Sequence, residues 1–210
     1  MGAAVFQAIE QQSGSTERTY GGVEVSGLAI QAIVEGFQQS STLVRQMLLA
    51  EGIGHAGPMG AVDIDTTGWY PLDRSLRVIH QISELGDSVL FHIGGRVAEG
   101  ALLPPWVHDI HHSIQTIDAA FHANHRKNGR SLLDSATGRM REGIGHYLYE
   151  RAGERRIQVV VNSPYPCAFD RGLLTARARR FQPKAWVLHD DQQPCRKRGA
   201  PNCTYQIVWI

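Results

Sequence analysis

The chain is sparing with the features that most often announce a function. Cysteine does not occur before residue 167, and only Cys167, Cys195 and Cys203 are present in 210 residues. An odd, late cluster of this kind excludes a disulfide framework as the organising device of the fold. Charge of one sign is lacking too: 21 Lys and Arg against 20 Asp and Glu leave a formal net charge of +1. That balance argues against a general nucleic-acid or membrane-surface binder. No apolar run approaches the roughly 20 residues needed to cross a bilayer. The opening Met-Gly-Ala-Ala-Val-Phe-Gln-Ala-Ile-Glu has no basic segment or cleavage site, and no Ser or Thr where a myristoylation signal needs one. A cytoplasmic address is the expectation. A nucleophile elbow and a Walker loop are also absent. Gly52-x-Gly54-x-x-Gly57 has dinucleotide spacing, but it follows a helical pattern rather than a strand.

What is present is the composition of a globule with a core, 42% hydrophobic and 20% charged, of a length that favours one domain. A polar, Gly/Ser-containing stretch at residues 1–22 reads as a mobile arm, leaving residues 23–210 as a single α+β ligand-binding domain. Helical spacing links Ile30, Ile33, Val34 and Phe37, and Ser40-Ser-Thr opens a second helix with Leu43, Met47 and Leu48. Glycines from Gly52 to Gly60 mark a long loop reaching Trp69. Two more helices carry Leu72, Leu76, Ile79 and Ile82, then Val89, Leu90, Ile93 and Val97. The Gly94-Gly95 pair in the latter reads as a place of close backbone packing. A long helix is expected from about Val107 to Arg126, with Ile110, Ile114, Ile117 and Phe121 on its core side. From Gly143 the period shortens to two: Ile144, His146, Leu148, then Ile157, Val159 and Val161. A helix over 169–181 and strands at Trp186–Leu188 and Tyr205–Trp209 follow. The expected architecture is an N-terminal helical bundle packed on a four-stranded antiparallel sheet, with a strand-strand-helix-strand-strand ending.

Two groups of residues carry chemistry. Cys195 and Cys203 flank the basic turn Arg-Lys-Arg-Gly-Ala-Pro-Asn, and Cys167 closes a Pro-Tyr-Pro turn. Three thiolates with one His or Asp complete a tetrahedral zinc site. The alternatives are two buried apolar cysteines with a surface thiol, a reactive Cys195 activated by the neighbouring cations, or a Cys195–Cys203 disulfide. The second group lies on the helix at 108–125, where His111, Asp118, His122 and His125 share one side next to the apolar stripe. A titratable stripe at the edge of a core suggests a pocket wall, with Trp69, Trp106 and Phe121 as aromatic lining. The bland reading is a solvated helix face and ordinary aromatic packing.

The order of helices then sheet, and the ending Cys-x7-Cys-Thr-Tyr-Gln-Ile-Val-Trp, resemble the 4-vinyl-reductase-type sensor domains. These belong to the superfamily that includes haem-nitric-oxide-binding domains and transport-complex subunits. The resemblance spans about residues 30–210 in architecture and about 160–210 in motif. It implies a structural zinc on Cys167, Cys195 and Cys203 with an acidic fourth ligand. In that family the acid stands three residues before the middle cysteine; Gln192 is there in this chain, and Asp191 is the nearest carboxylate. The Tyr-x-Ser-x-Arg motif that holds haem propionates in the nitric-oxide sensors is absent. The expected function is therefore a sensory or regulatory domain for a small hydrophobic or aromatic ligand, working as a homodimer and through a signalling partner protein. One alternative is an enzyme using haem or another metal on the 108–125 helix; another is an assembly scaffold.

Overall fold

A computed structural model describes residues 20–36, 42–58 and 61–210. The expected arm, apart from its last residues, and Phe37, Ser40 and Ser41 lie outside the described residues. The fold is α+β with antiparallel sheets. The chain enters as strand β1 (Val23–Ser26), then helices α1 (Gly27–Gly36) and α2 (Thr42–Ala50). The loop expected from Gly52 to Trp69 holds a two-stranded hairpin, β2 (His55–Ala56) with β3 (Val62–Asp63), and ends in β4 (Trp69–Pro71). Helices α3 (Leu72–Ser83) and α4 (Asp87–Gly100) come where the apolar periodicity puts them, with Leu72, Ile82 and Leu90 fully buried.

Helix α5 (Ile110–Ala123) is shorter than its pattern suggests. Asp109 caps its start, accepting from the His112 N–H at 2.8 Å, and Asn124 ends it. His125 therefore stands on strand β5 (His125–Lys127), not on the helix. β5 turns through Asn128-Gly129, both left-handed with φ of 50° and 76°, into β6 (Arg130–Ser131). These strands join a first sheet in the order β4-β1-β5-β6. That sheet was not expected, because β1, β5 and β6 are too short to show a period.

The second sheet contains β7 (Tyr147–Gly153), β8 (Arg156–Val161), β9 (Trp186–His189) and β10 (Cys203–Val208) in the order β7-β8-β10-β9. All its pairings are antiparallel, and helix α6 (Cys167–Arg179) separates β8 from β9. Ile157, Val159, Val161, Tyr205 and Ile207 are wholly buried, as strict alternation requires. In β9 Trp186 and Leu188 face outward, and His189 takes the inward side.

Helices α4 and α6 cross with almost no side chain between them. A Cβ on Gly94 would fall inside the Phe169 carbonyl oxygen, and one on Gly172 inside the Phe91 carbonyl oxygen. Gly94 is thus explained by backbone approach, with Gly172 its counterpart on the other helix, whereas a Cβ on Gly95 would lie 3.9 Å from its nearest neighbour. This contact holds α6 in the position from which it presents Cys167 and Asp170.

Candidate functional site

The three cysteines converge. Cys167 opens α6, Cys195 precedes a short 3-10 turn (Arg196–Arg198), and Cys203 opens β10. All three are buried and unpaired. The Cys203 and Cys195 sulfurs lie 3.8 Å apart, too far for a disulfide. It is also about the edge of a tetrahedron whose centre-to-sulfur bonds are about 2.3 Å. The fourth donor within reach is His189: one ligand atom each from Cys167, His189, Cys195 and Cys203 lies within 4.8 Å of the others.

Asp191 is not one of these four residues. Its carboxylate bonds to His189 Nδ1 at 2.9 Å, leaving His189 Nε2 buried without a partner. A carboxylate holding the far nitrogen of an imidazole is the usual support of a metal-ligating histidine. His189 was missed because the inward parity of β9 was not legible; only its place beside Asp190 and Asp191 hinted at a role. Arg196 also departs from expectation. It is not an ordinary surface charge of the turn, since its guanidinium reaches inward to Asp170, Ser163, Tyr165 and Cys203. A hydrogen bond from Cys167, together with the charge and N–H groups of Arg196, holds the Cys203 thiol far below its ordinary value, to about 3. The same pairing and burial push Cys167 upward.

The histidine stripe divides into three. His111 lies toward the sheet surface, 2.8 Å from the Tyr149 hydroxyl and edge-on to Trp209. Asp118 and His122 form a second unit with His146, a residue expected to sit in the core beside Ile144 and Leu148. His146 lies just before β7, where Gly145, at φ 83°, presses against Asn162 in a conformation that a side chain would obstruct. The Asn162 side chain accepts from the His146 N–H at 2.5 Å, and the ring turns toward Asp118, its Nδ1 3.0 Å from Oδ2. Burial raises the Asp118 carboxyl, but bonds from His122, His146 and the Tyr147 N–H outweigh it and hold it below its ordinary value. In turn, the hydrogen bond to Asp118 raises His146 to about 9.

His125 forms the third part, with Nδ1 2.7 Å from the Phe121 carbonyl and Nε2 2.9 Å from the Tyr165 hydroxyl. Of the aromatic candidates, Phe121 lies among these rings, within 5.2 Å of Tyr147 and 4.8 Å of His125. Trp69 and Trp106 do not join them. Trp69 lies under Arg126, and Trp106 is exposed on the edge of His112.

The two polar clusters are joined through the core. Arg196 bonds to Cys203 Sγ and to Asp170; the Tyr147 hydroxyl donates to Asp170 at 2.5 Å, and the Tyr147 N–H donates to Asp118 at 3.0 Å.

No family model and no curated protein matches this sequence. Solved structures do. An H-NOX protein from S. oneidensis in its Fe(II)NO ligation state is 16% identical, with a TM-score of 0.60 over 87% of this chain and 97% of that one. An unliganded Fe(II) H-NOX protein mutant from K. algicida is 13% identical, with a TM-score of 0.54 over 87% and 95%. The fold is shared with the H-NOX proteins. At these identities the likeness concerns the fold, and the residues must be read on their own terms. No helix among the described residues is long and apolar enough to cross a membrane.

His125 yields a pH prediction. Burial lowers its pKa to about 4, against about 6.5 unfolded. The neutral ring therefore contributes stability that is complete above about pH 6.5 and is lost as pH falls toward about 4, at about 1.4 kcal/mol per unit. Urea unfolding from pH 7 to pH 4.5 should show a shallower decline for His125→Gln than for the unaltered chain. Parallel curves would contradict this assignment.

Proposed function

We propose that the chain is a small-molecule-binding sensory or regulatory domain of the 4-vinyl-reductase type, with zinc on Cys167, His189, Cys195 and Cys203. The observation that carries the sensory reading is the buried connection between the two polar clusters. It gives a ligand at α5 a physical route to the end of the second sheet. Phe121, Tyr147 and Tyr165 surround the junction, and His122 Nε2 is buried there without a partner. An aromatic molecule carrying one hydroxyl matches that combination once the Phe121, His122 and Tyr147 rings, which are packed together, part to admit it. Homodimerisation and output through a partner protein belong to the same reading, by resemblance.

The zinc is supported by the donor chemistry. Three sulfurs and an imidazole fill a tetrahedral shell and leave no open position, which is the form of a structural site. When bound, the metal ties the start of α6 to β9 and β10. Asp191 then acts by holding the His189 ring, not as a ligand.

Haem comes into consideration through the H-NOX relatives. His122 is a fully buried histidine with a free ring nitrogen, but its ring has His146 at 4.7 Å and Phe121 at 5.5 Å. A porphyrin does not fit between those rings as packed. Haem binding would require that contact to open.

Elemental analysis tests the zinc. The purified chain should carry about one zinc in the cysteine site, lost in Cys195→Ser, while Asp191→Asn should weaken zinc binding by roughly 10–100-fold. Unchanged zinc in Cys195→Ser would refute the site. For the effector, calorimetric titration with phenol should give saturable heat, with affinity falling at least tenfold in Phe121→Ala. Absence of phenol binding, or full binding in the variant, would count against an aromatic effector at this junction.

A further inference from the structure

His122 carries the unpartnered nitrogen that the effector reading gives to a hydroxyl, and the same nitrogen can serve as a ligand for a metal. Its Nδ1 lies 2.8 Å from the Asp118 carbonyl oxygen, which can only accept, so the ring proton is on Nδ1. The basic lone pair is then on Nε2, which is buried and without a partner, in a side chain with no solvent exposure. A buried acceptor left unfilled is costly. A backbone carbonyl fixing the far nitrogen is, however, the common arrangement behind a metal-ligating imidazole.

Two further donors stand beside this ring. One ligand atom each from Asp118, His122 and His146 lies within 4.8 Å of the others. The His122 and His146 ring centroids are 4.7 Å apart. Each residue is steadied by a second group. His146 Nε2 is 3.2 Å from the Glu142 carboxylate, and Asp118 Oδ1 accepts from the Tyr147 N–H at 3.0 Å. Three donors with three outer supports form a built site and not a chance grouping of polar residues. By contrast, Asp109 in the cluster His108, Asp109 and His112 is already explained as the cap of α5.

We propose that Asp118, His122 and His146 bind a divalent first-row transition metal, with Glu142 orienting His146 from outside the ligand set. Two imidazoles and one carboxylate suit manganese, iron, cobalt, nickel or zinc, and contrast with the thiolate-rich group at Cys167, Cys195 and Cys203. The metal takes the place of the proton shared by His146 Nδ1 and Asp118 Oδ2, which passes to solvent on binding. The location is that of the proposed effector site, and both readings use His122 Nε2, but metal binding is measurable without any effector, so either reading can fail alone.

Cobalt distinguishes the two sites, because cobalt on thiolates gives strong near-ultraviolet charge-transfer bands and cobalt on nitrogen and oxygen alone does not. The full chain, produced in cobalt in place of zinc, should contain about two cobalt ions, only one contributing thiolate bands. In Asp118→Asn and in His146→Ala, the latter at a side chain 17% exposed, the content should drop by about one ion with the thiolate bands unchanged. Circular dichroism confirms folding, and if Asp118→Asn fails to fold, His146→Ala decides. A single cobalt with full thiolate bands in the unaltered chain overturns the proposal, as does unchanged cobalt content in His146→Ala. Failure of the cysteine reading looks different: thiolate bands are missing, while a cobalt sensitive to His146→Ala remains.

Discussion

A charge removed from water must find its opposite, and in this fold Asp170 and Arg196 meet that demand for each other. Asp170 is completely buried in the first turn of α6. Its oxygens take the Arg196 guanidinium, the Tyr147 hydroxyl and the Ser163 hydroxyl. Arg196 spends its remaining donors on the Ser163 and Tyr165 carbonyls and on Cys203 Sγ. One ion pair thereby fastens β7, the segment before α6, α6 itself, the 3-10 turn and β10. Removing either partner alone would leave a buried charge uncompensated, at a cost of about 3–5 kcal/mol.

The rest of the candidate chemistry is arranged around that pair. On one side Arg196 reaches Cys203, the sulfur most inclined to be a thiolate. On the other, Tyr147 links Asp170 to Asp118, whose carboxylate orients His146. The close crossing of α4 and α6, made through Gly94 and Gly172, fixes α6 so that the pair forms at all. The shared fold with the H-NOX proteins concerns the scaffold; the polar chain through its centre consists of this sequence's own residues.

Much of the scaffold was legible because its elements are long. The stripes of α3 and α4 and the alternation of β8 and β10 each repeat enough times to specify type and facing side. The cysteine trio was legible as a group because cysteine occurs nowhere else. The short strands were not, although Asn128-Gly129 is a hairpin signal that would have ended the histidine helix before His125. Arg196 was hidden by its setting, since three consecutive cations in a turn look solvated until Asp170 is known to lie beneath them. His189 and His146 depend on strand parity and on a glycine turn. Spacing alone does not reveal either.

The central claim is that the Asp170–Arg196 pair is a strong, buried coupling, and a double-mutant cycle in urea unfolding measures it directly. Asp170→Asn and Arg196→Met should each destabilise the chain, while the double variant should lose far less than the sum, giving a coupling of about 2–3 kcal/mol. Additive losses, with coupling near zero, would contradict the account, because the pair would then be a neighbouring contact and not the tie on which the surrounding structure depends.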